Sequence, residues 1–388
     1  MLFLIKKTLV NWVDGMKISK NHLVQTEDFL IDVIRDTTSA RLSDNNFGIL
    51  PPYKGETLSS DFDIAQRISN HVEIKLRRCN AITAGGCRIN INPTDYSEYL
   101  LLDYSFDTDT DHKKEDNEQL HWDVILVIKP FERTPVGIPD PEEVPPRHPD
   151  ASQVYSLFIK PAGQINSKEF GMHHLIIGRV VKKGDRYEVD TNYIPPCTSM
   201  SSHPDLKKYY ELFGQQLNDI ETSSHKIIQK IHERENISDI AKNINQVCET
   251  LLNYIATIYY GYRNEGRFYT PSETVALFSS LAHVCFSAIQ YMSKKQKEEM
   301  LRYFYEWSDV TPGNFTELLT DSLEIIYNHH DIRSIMELLK RFLSVFSSLW
   351  IKLSTLEYIG QHKENIVVAE KTQKQETVTR KSGWTILD

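Results

Sequence analysis

The sequence predicts an α+β protein, with an N-terminal antiparallel β-sandwich followed by an α-helical bundle and a short polar C-terminal tail. Short apolar runs broken by turn signals fill residues 60–196, whereas from residue 204 the apolar residues recur with the period of a helix. At 388 residues the chain is long enough for about two or three domains. We predict a β domain over residues 1–200, a helical bundle over 204–310, and a C-terminal helical region with a tail over 311–388.

One helix is expected before the strands, over residues 22–40. Five apolar residues share one of its faces, which is the pattern of a helix that packs on a core: Leu23, Phe29, Leu30, Val33 and Ile34. The strands are expected in runs that alternate or are rich in β-branched residues: 62–68, 71–76, 122–130, 153–160, 173–181 and 186–190. Turn signals such as Gly85-Gly86 and Asn92-Pro93 separate these runs, which favours antiparallel sheets.

The first long helix of the second half carries a regular apolar seam. Its members follow the spacing of a coiled coil, with one serine among them: Leu206, Tyr210, Phe213, Leu217, Ile220, Ser224, Ile227 and Ile231. Two interpretations stay open, namely packing inside the bundle of one chain and self-association of several chains. A proline and a glutamate after Thr270 predict a capped helix start there, and two further helices are expected after the break at Thr311-Pro312-Gly313.

The net charge, the cysteines and the apolar runs of the chain exclude some classes of function. The net charge of −9 provides no positive field, so no nucleic-acid partner is expected. The five cysteines are odd in number and form no C-x-x-C pair, which favours a reducing compartment. The start does not resemble a secretory signal, and no apolar run reaches the roughly 18 residues of a membrane span. We therefore expect a cytoplasmic protein without direct membrane insertion.

Short sequence motifs of catalytic and ligand-binding sites are mostly absent. The chain has no dinucleotide, phosphate-loop, nucleophile-elbow or zinc-protease signature, so we predict no catalytic, metal or cofactor site. An acidic run resembles a calcium loop at Asp107, Asp109, Asp111 and Glu118, but a histidine replaces its glycine, and we interpret it as a solvated loop. For the other candidate metal ligands and the candidate nucleophile, we favour a role in packing: His173, His174, His329, His330 and Cys197. The proline-rich run 135–149 is either a stiff loop or a polyproline ligand.

Three short motifs resemble TssK, the baseplate subunit of bacterial type VI secretion systems. The run Asn-Trp-Val-Asp-Gly-Met at residues 11–16, with His22 and Gln25 after it, is similar to the family's W-x-E-G-M strand and the element that follows. The run Phe-Gly-Ile-Leu-Pro at 47–51 is the second match, and Tyr-Ile-Pro-Pro-Cys at 193–197 is the third. All three occur in the family's order over the first two hundred residues.

The resemblance implies a non-enzymatic part of a contractile injection system that uses no cofactor. Members of this family form homotrimers with a β shoulder that docks on baseplate wedge subunits, a helical neck, and a head that contacts the inner-membrane anchoring complex. The implied location is the cytoplasm, docked at the inner membrane. Only about thirty mostly polar residues follow the last predicted helix, so we expect a reduced head.

We predict that the segment around Trp12 docks on the wedge, because an exposed aromatic edge can add to a partner's sheet or groove. The predicted interface residues are Trp12, Val13, Gly15, Met16 and His22. The alternative is that Trp12 packs on the 22–40 helix. Two rival functions also stay open: a phage-like trimeric receptor- or carbohydrate-binding protein, and a hydrolase with a pocket of converging acids and histidines.

Overall fold

The computed structural model describes residues 6–68, 70–92, 99–106, 120–164, 167–308 and 310–363. It confirms an α+β protein whose sheets are antiparallel. The acidic run with the calcium-loop pattern and most of the predicted C-terminal tail lie outside the described residues. A helix, α1 (Lys20–Ser39), begins the ordered elements and confirms the helix expected before the strands.

The first sheet is built around one long strand, β3 (His71–Ile82), with which its four other strands all pair. Alternating residues of β3 such as Val72, Ile74 and Leu76 are buried, as period-2 burial of one sheet face requires. The partners are β1 (Gly48–Ile49), β2 (Ser60–Ile68), β4 (Arg88–Ile91) and β5 (Leu100–Ser105).

The second sheet has the order β7-β6-β8-β9. Its strands are β6 (His121–Val136), β7 (Asp150–Pro161), β8 (His174–Lys183) and β9 (Arg186–Val189), with a short helix α2 (Ser167–Phe170) before β8. The proline-rich run forms the end of β6 and the exposed hairpin loop to β7.

Aromatic side chains join the two sheets. Phe106, which follows β5, stacks on Tyr187 of β9 with ring centroids 4.0 Å apart. The same ring meets Trp122 of β6 edge-on at 4.7 Å. All three are buried, so this cluster contributes both apolar burial and favourable ring geometry to the β core.

Six long helices follow the strands in the described chain. They are α3 (Pro204–His232), α4 (Asp239–Glu265), α5 (Pro271–Gln290), α6 (Lys294–Trp307), α7 (Pro312–Leu323) and α8 (Ile332–Thr355). The predicted cap of α5 is confirmed: the Thr270 N–H donates to the Glu273 carboxylate at 2.7 Å, and the Glu273 N–H donates to Thr270 Oγ1 at 3.1 Å. Among the described helices, α5 alone is long and apolar enough to cross a membrane, and its Phe278 and Cys285 are buried in the bundle.

The second and third family-like motifs lie side by side where the strands meet the helices. The Ile49 N–H donates to the Pro196 carbonyl at 2.7 Å, and the Thr198 N–H donates to the Ile49 carbonyl at 2.9 Å. His329, before α8, bonds the Phe47 carbonyl through Nε2 at 2.8 Å. Two motifs that are far apart in sequence therefore form one junction between sheet and bundle.

Candidate interaction surface

The segment before α1 contains four of the five predicted docking residues, and the fifth, His22, lies in the first turn of α1. We expected a strand here by resemblance, but residues 6–19 form no strand. Instead the Met16 N–H donates to the Val13 carbonyl at 3.2 Å and closes a turn. Gly15 has φ +78° in that turn, a left-handed conformation that glycine adopts without steric cost.

The predicted docking residues come together around this turn. The Trp12 side chain is 52% exposed and Val13 is 58% exposed, whereas Met16 is half-buried. The His22 ring meets Trp12 edge-on, with centroids 6.0 Å apart, and its Nδ1 accepts the Ser19 N–H at 3.3 Å at the start of α1. Trp12 therefore contacts the His22 ring of α1, while about half of the Trp12 surface is exposed to solvent.

Polar contacts fix this segment to α1. The Lys7 N–H donates to Asp32 Oδ2 at 2.8 Å, and Lys7 Nζ lies 3.4 Å from Asp28 Oδ2. Gln25 Nε2 donates to the Thr8 carbonyl at 3.1 Å. These bonds use the backbone and the polar side chains of the segment. Its exposed apolar side chains are Leu9, Trp12, Val13 and Ile18, whereas Val10 is buried.

The face of α1 that packs on the β domain is polar, contrary to the expectation that its apolar face would do so. Asp28 and Asp32 are buried, and their partners are Arg133 of β6 and Arg35 of α1, each at 2.8 Å. Burying these carboxylates is tolerable because each is paired with a guanidinium. The apolar residues Leu23, Leu30, Val33 and Ile34 are exposed instead.

The predicted seam on α3 lies inside the bundle of a single chain. Tyr210 is half-buried, and its neighbour Tyr262 donates its hydroxyl to the Tyr210 carbonyl at 2.9 Å. The other predicted members are at most 3% exposed, where α3 packs against α4 and α8: Leu206, Phe213, Leu217, Ile220, Ile227 and Ile231. These six side chains have almost no surface left for a second chain.

The serine within the seam has a structural reason. Ser224 is buried and accepts a hydrogen bond from Trp350 Nε1 of α8 at 3.0 Å.

Removing the Ser224 hydroxyl oxygen leaves the buried Trp350 indole N–H unpaired, which costs about 1–3 kcal/mol. We expect Ser224→Ala to lower the free energy of unfolding by this amount in urea titration. Thr222→Ala, at an exposed neighbouring position, is the control, and equal effects of the two changes would contradict the role of the bond.

The candidate histidines and cysteine form no metal-binding cluster in the part of the chain that the structure describes. Cys197 is fully buried, and burial raises the pKa of its thiol. Sequence reasoning missed one pair: Cys87 Sγ lies 3.1 Å from His173 Nδ1. Burial raises the pKa of Cys87 to about 11 and lowers the pKa of His173, so both groups are neutral at pH 7 and the thiol is not activated.

A groove of about 560 Å³ lies between β5 and β7. Among the described residues that line it, no acid and no histidine converges on its space; the lining is Leu102, Tyr104, Leu157, Phe158, Ile159, Lys160, Pro161 and Gln164. Two surface features stand out among the described residues: the exposed aromatic turn around Trp12 and the exposed apolar face of α1.

The described chain is an α+β protein in which two antiparallel sheets precede six long helices. The fold is that of TssK. A crystal structure of TssK superposes with a TM-score of 0.51 at 17% identity, covering 88% of this chain and 70% of that chain. The fold implied by the sequence motifs is thereby confirmed.

Two further similar structures are baseplate assemblies. One is a TssK-TssF-TssG baseplate subcomplex of the type VI secretion system, with a TM-score of 0.47 at 11% identity over 88% of this chain and 99% of that chain. The other is the baseplate complex of the type VI secretion system, with a TM-score of 0.49 at 14% identity over 87% of this chain and 100% of that chain. No protein-family model and no curated protein matches the chain.

Proposed function

We propose that this chain is a structural, non-enzymatic subunit of a type VI secretion baseplate, a homotrimer that links wedge subunits to the inner-membrane anchoring complex. One observation carries the proposal: the TssK fold extends over 88% of the chain, and the three family-like motifs occupy it in the family's order. The chain would act in the cytoplasm, docked at the inner membrane.

The proposed division of the chain follows the family. Residues 1–200 form the shoulder, 204–310 the neck and 311–388 a reduced head. The last helix of the proposed head, α8, packs along α3 of the neck. Lys230 Nζ of α3 also donates to the carbonyls of Ser354 and Leu356 at 2.7 and 2.8 Å. The described part of this region is therefore joined to the proposed neck.

The wedge would dock at the turn formed by Trp12, Val13, Gly15, Met16 and His22. A half-exposed tryptophan is a residue type that often dominates binding energy, because it buries a large area at small entropic cost. The segment that carries Trp12 is held in place, because Lys7 binds the buried carboxylates of Asp28 and Asp32. A docking site on a fixed segment needs little ordering when the partner binds.

Co-purification with wedge subunits tests this proposal. We expect the full-length chain to bind TssF and TssG of its own organism, and Trp12→Ala combined with Met16→Ala to weaken that binding at least about tenfold, as for a typical hot spot. Tyr260→Ala, at an exposed aromatic of the bundle, is the matched control. Isothermal titration or biolayer interferometry gives the dissociation constants.

The outcomes separate two claims. A wild-type chain that does not bind wedge subunits contradicts the adaptor function. A wild-type chain that binds, together with a double variant of unchanged affinity, contradicts only the docking residues. A variant that loses binding while its circular dichroism spectrum stays that of the wild type supports both.

A further inference from the structure

The loop between β6 and β7 is carried by a two-stranded ribbon that extends past the rest of its sheet. Strand β8 pairs with β6 only as far as Val127, and beyond Ile128 the sole partner of β6 among the described strands is β7. The last pair of the ribbon is Val136 with Asp150. Residues 137–149, here called the proline loop, connect them. Two residues are enough to close such a hairpin, and much longer loops are usually functional.

Contacts within the proline loop fix its shape. The His148 ring, through Nδ1, bonds the Gly137 carbonyl oxygen at 2.8 Å and closes the base of the loop. Arg147 Nη2 donates to Glu143 Oε1 at 3.0 Å. Proline rings restrict φ at five further positions: Pro139, Pro141, Pro145, Pro146 and Pro149. A loop that is ordered in this way loses little conformational entropy when a partner binds it.

The apolar side chains of the proline loop are exposed. Val144 is 96% exposed and Ile138 is 75% exposed, and the five prolines are exposed as well. A single exposed valine needs no explanation, but apolar side chains grouped with prolines in one fixed loop form a surface that a partner can cover. Proline-rich segments of this kind dock in grooves lined by aromatic side chains.

The charge of the proline loop indicates a second property of the partner. Glu142 has an exposed side chain, and its carboxylate pairs with no described cation. Asp140 beside it also has no described cation, and its Oδ1 accepts the Glu142 N–H at 2.9 Å. Because Glu143 is neutralised by Arg147, these two carboxylates leave the loop with a net negative charge. This charge favours a groove with basic residues on its rim.

The ribbon that carries the proline loop also contacts the segment that carries Trp12. Arg133 of the ribbon lies 2.8 Å from Asp28 of α1, and Lys7 Nζ lies 4.5 Å from the centre of the Phe131 ring. The proline loop and the docking turn are therefore attached to one another through these contacts. This continuity favours one partner for both.

We infer that the proline loop is a second docking element for the wedge, and that it binds a groove of a wedge subunit lined by aromatic side chains and rimmed by basic ones. The inference rests on the proposed function for the identity of the partner. Of the two interpretations of the proline-rich run, a stiff loop and a polyproline ligand, the exposure of Ile138 and Val144 favours the ligand. A loop that only joins two strands needs no apolar side chains that contact nothing.

Removal of the two apolar side chains tests the proline loop. We expect Ile138→Ala with Val144→Ala to weaken binding of the full-length chain to TssF and TssG of its own organism at least about tenfold in biolayer interferometry. Both side chains are exposed, so the variant retains its fold and its circular dichroism. Tyr291→Ala with Ile326→Ala, at residues 79% and 91% exposed in the helical half, is the matched control and should keep the wild-type affinity.

The basic rim is tested by a change of charge. We expect Glu142→Gln to weaken binding to the wedge subunits about two- to fivefold at low salt, and to make the affinity less dependent on salt concentration. Glu324→Gln removes an exposed carboxylate of the helical half and should change neither quantity. Equal affinities of the wild type and Glu142→Gln at low salt overturn the basic rim.

Photo-cross-linking reads the chemistry of the groove directly. Benzoylphenylalanine at position 144 of the full-length chain should attach to a wedge subunit on irradiation, and mass spectrometry locates the attachment. We expect tryptophan, tyrosine or phenylalanine side chains around that position of the wedge subunit. Attachment to a surface without aromatic side chains overturns the inferred groove.

Failure of the proline loop and failure of the proposed function give different results. A wild-type chain that binds wedge subunits, together with an Ile138→Ala, Val144→Ala variant of unchanged affinity, overturns the docking role of the loop and leaves the adaptor function standing. A wild-type chain that binds neither TssF nor TssG contradicts the adaptor function and the inferred partner together.

Discussion

Leu217→Asp is expected to unfold the helical bundle rather than to dissociate an oligomer. Leu217 lies at the centre of α3 and is 1% exposed, within the cluster that α3 forms with α4 and α8. The change removes a core side chain, which alone costs about 2–5 kcal/mol, and places a carboxylate inside a buried apolar cluster. The total approaches the whole stability of an ordinary domain.

Urea unfolding followed by far-UV circular dichroism measures this effect. We expect the helical signal of Leu217→Asp to be lost at low urea, or to be reduced already in buffer. Asn218→Asp adds the same charge at the next, exposed position and should stay within about 0.5 kcal/mol of the wild type. A Leu217→Asp chain with wild-type unfolding and a smaller solution mass would restore α3 as an intermolecular seam.

The α3 and α1 patterns show what periodicity can and cannot predict. In both helices the spacing correctly predicts which residues share a face. It does not say what that face contacts: the α3 seam is filled by neighbouring helices of the same chain, whereas the apolar face of α1 is exposed to solvent. The difference arises from Asp28, whose partner Arg133 lies 105 residues away in β6. A helix pattern alone carries no record of such a distant ion pair.

The candidate docking site could also be predicted only in part from the sequence. The motif around Trp12 identified the segment, and the structure places its members around one turn. The predicted strand there was wrong, because the segment is attached through Lys7 and Gln25 rather than through a β ladder. The pairing of Cys87 with His173 has no local signal either, since Cys87 precedes β4 of the first sheet and His173 precedes β8 of the second, so the two residues meet only in the folded chain.

The second and third motifs acquire a physical meaning once they are seen side by side. Gly48 has φ +119°, and a Cβ atom built on it would lie 2.0 Å from the Pro196 carbonyl oxygen. Only glycine allows the two backbones to approach so closely. The approach forms the bond from Ile49 to Pro196 and brings the Phe47 carbonyl to His329, so it fixes the sheet on the bundle.

Gly48→Ala should therefore lower the free energy of unfolding by at least about 3 kcal/mol, because the methyl group adds a backbone clash to the strain of a positive φ. Gly55→Ala is the matched control: its φ is +92°, but nothing lies within 4 Å of its Cβ position, so strain alone should cost about 1–2 kcal/mol. Urea titration of both variants gives the comparison. Equal losses would mean that the clash is relieved by a small shift, and that the contact between residues 47–51 and 193–197 does not hold the sheet on the bundle.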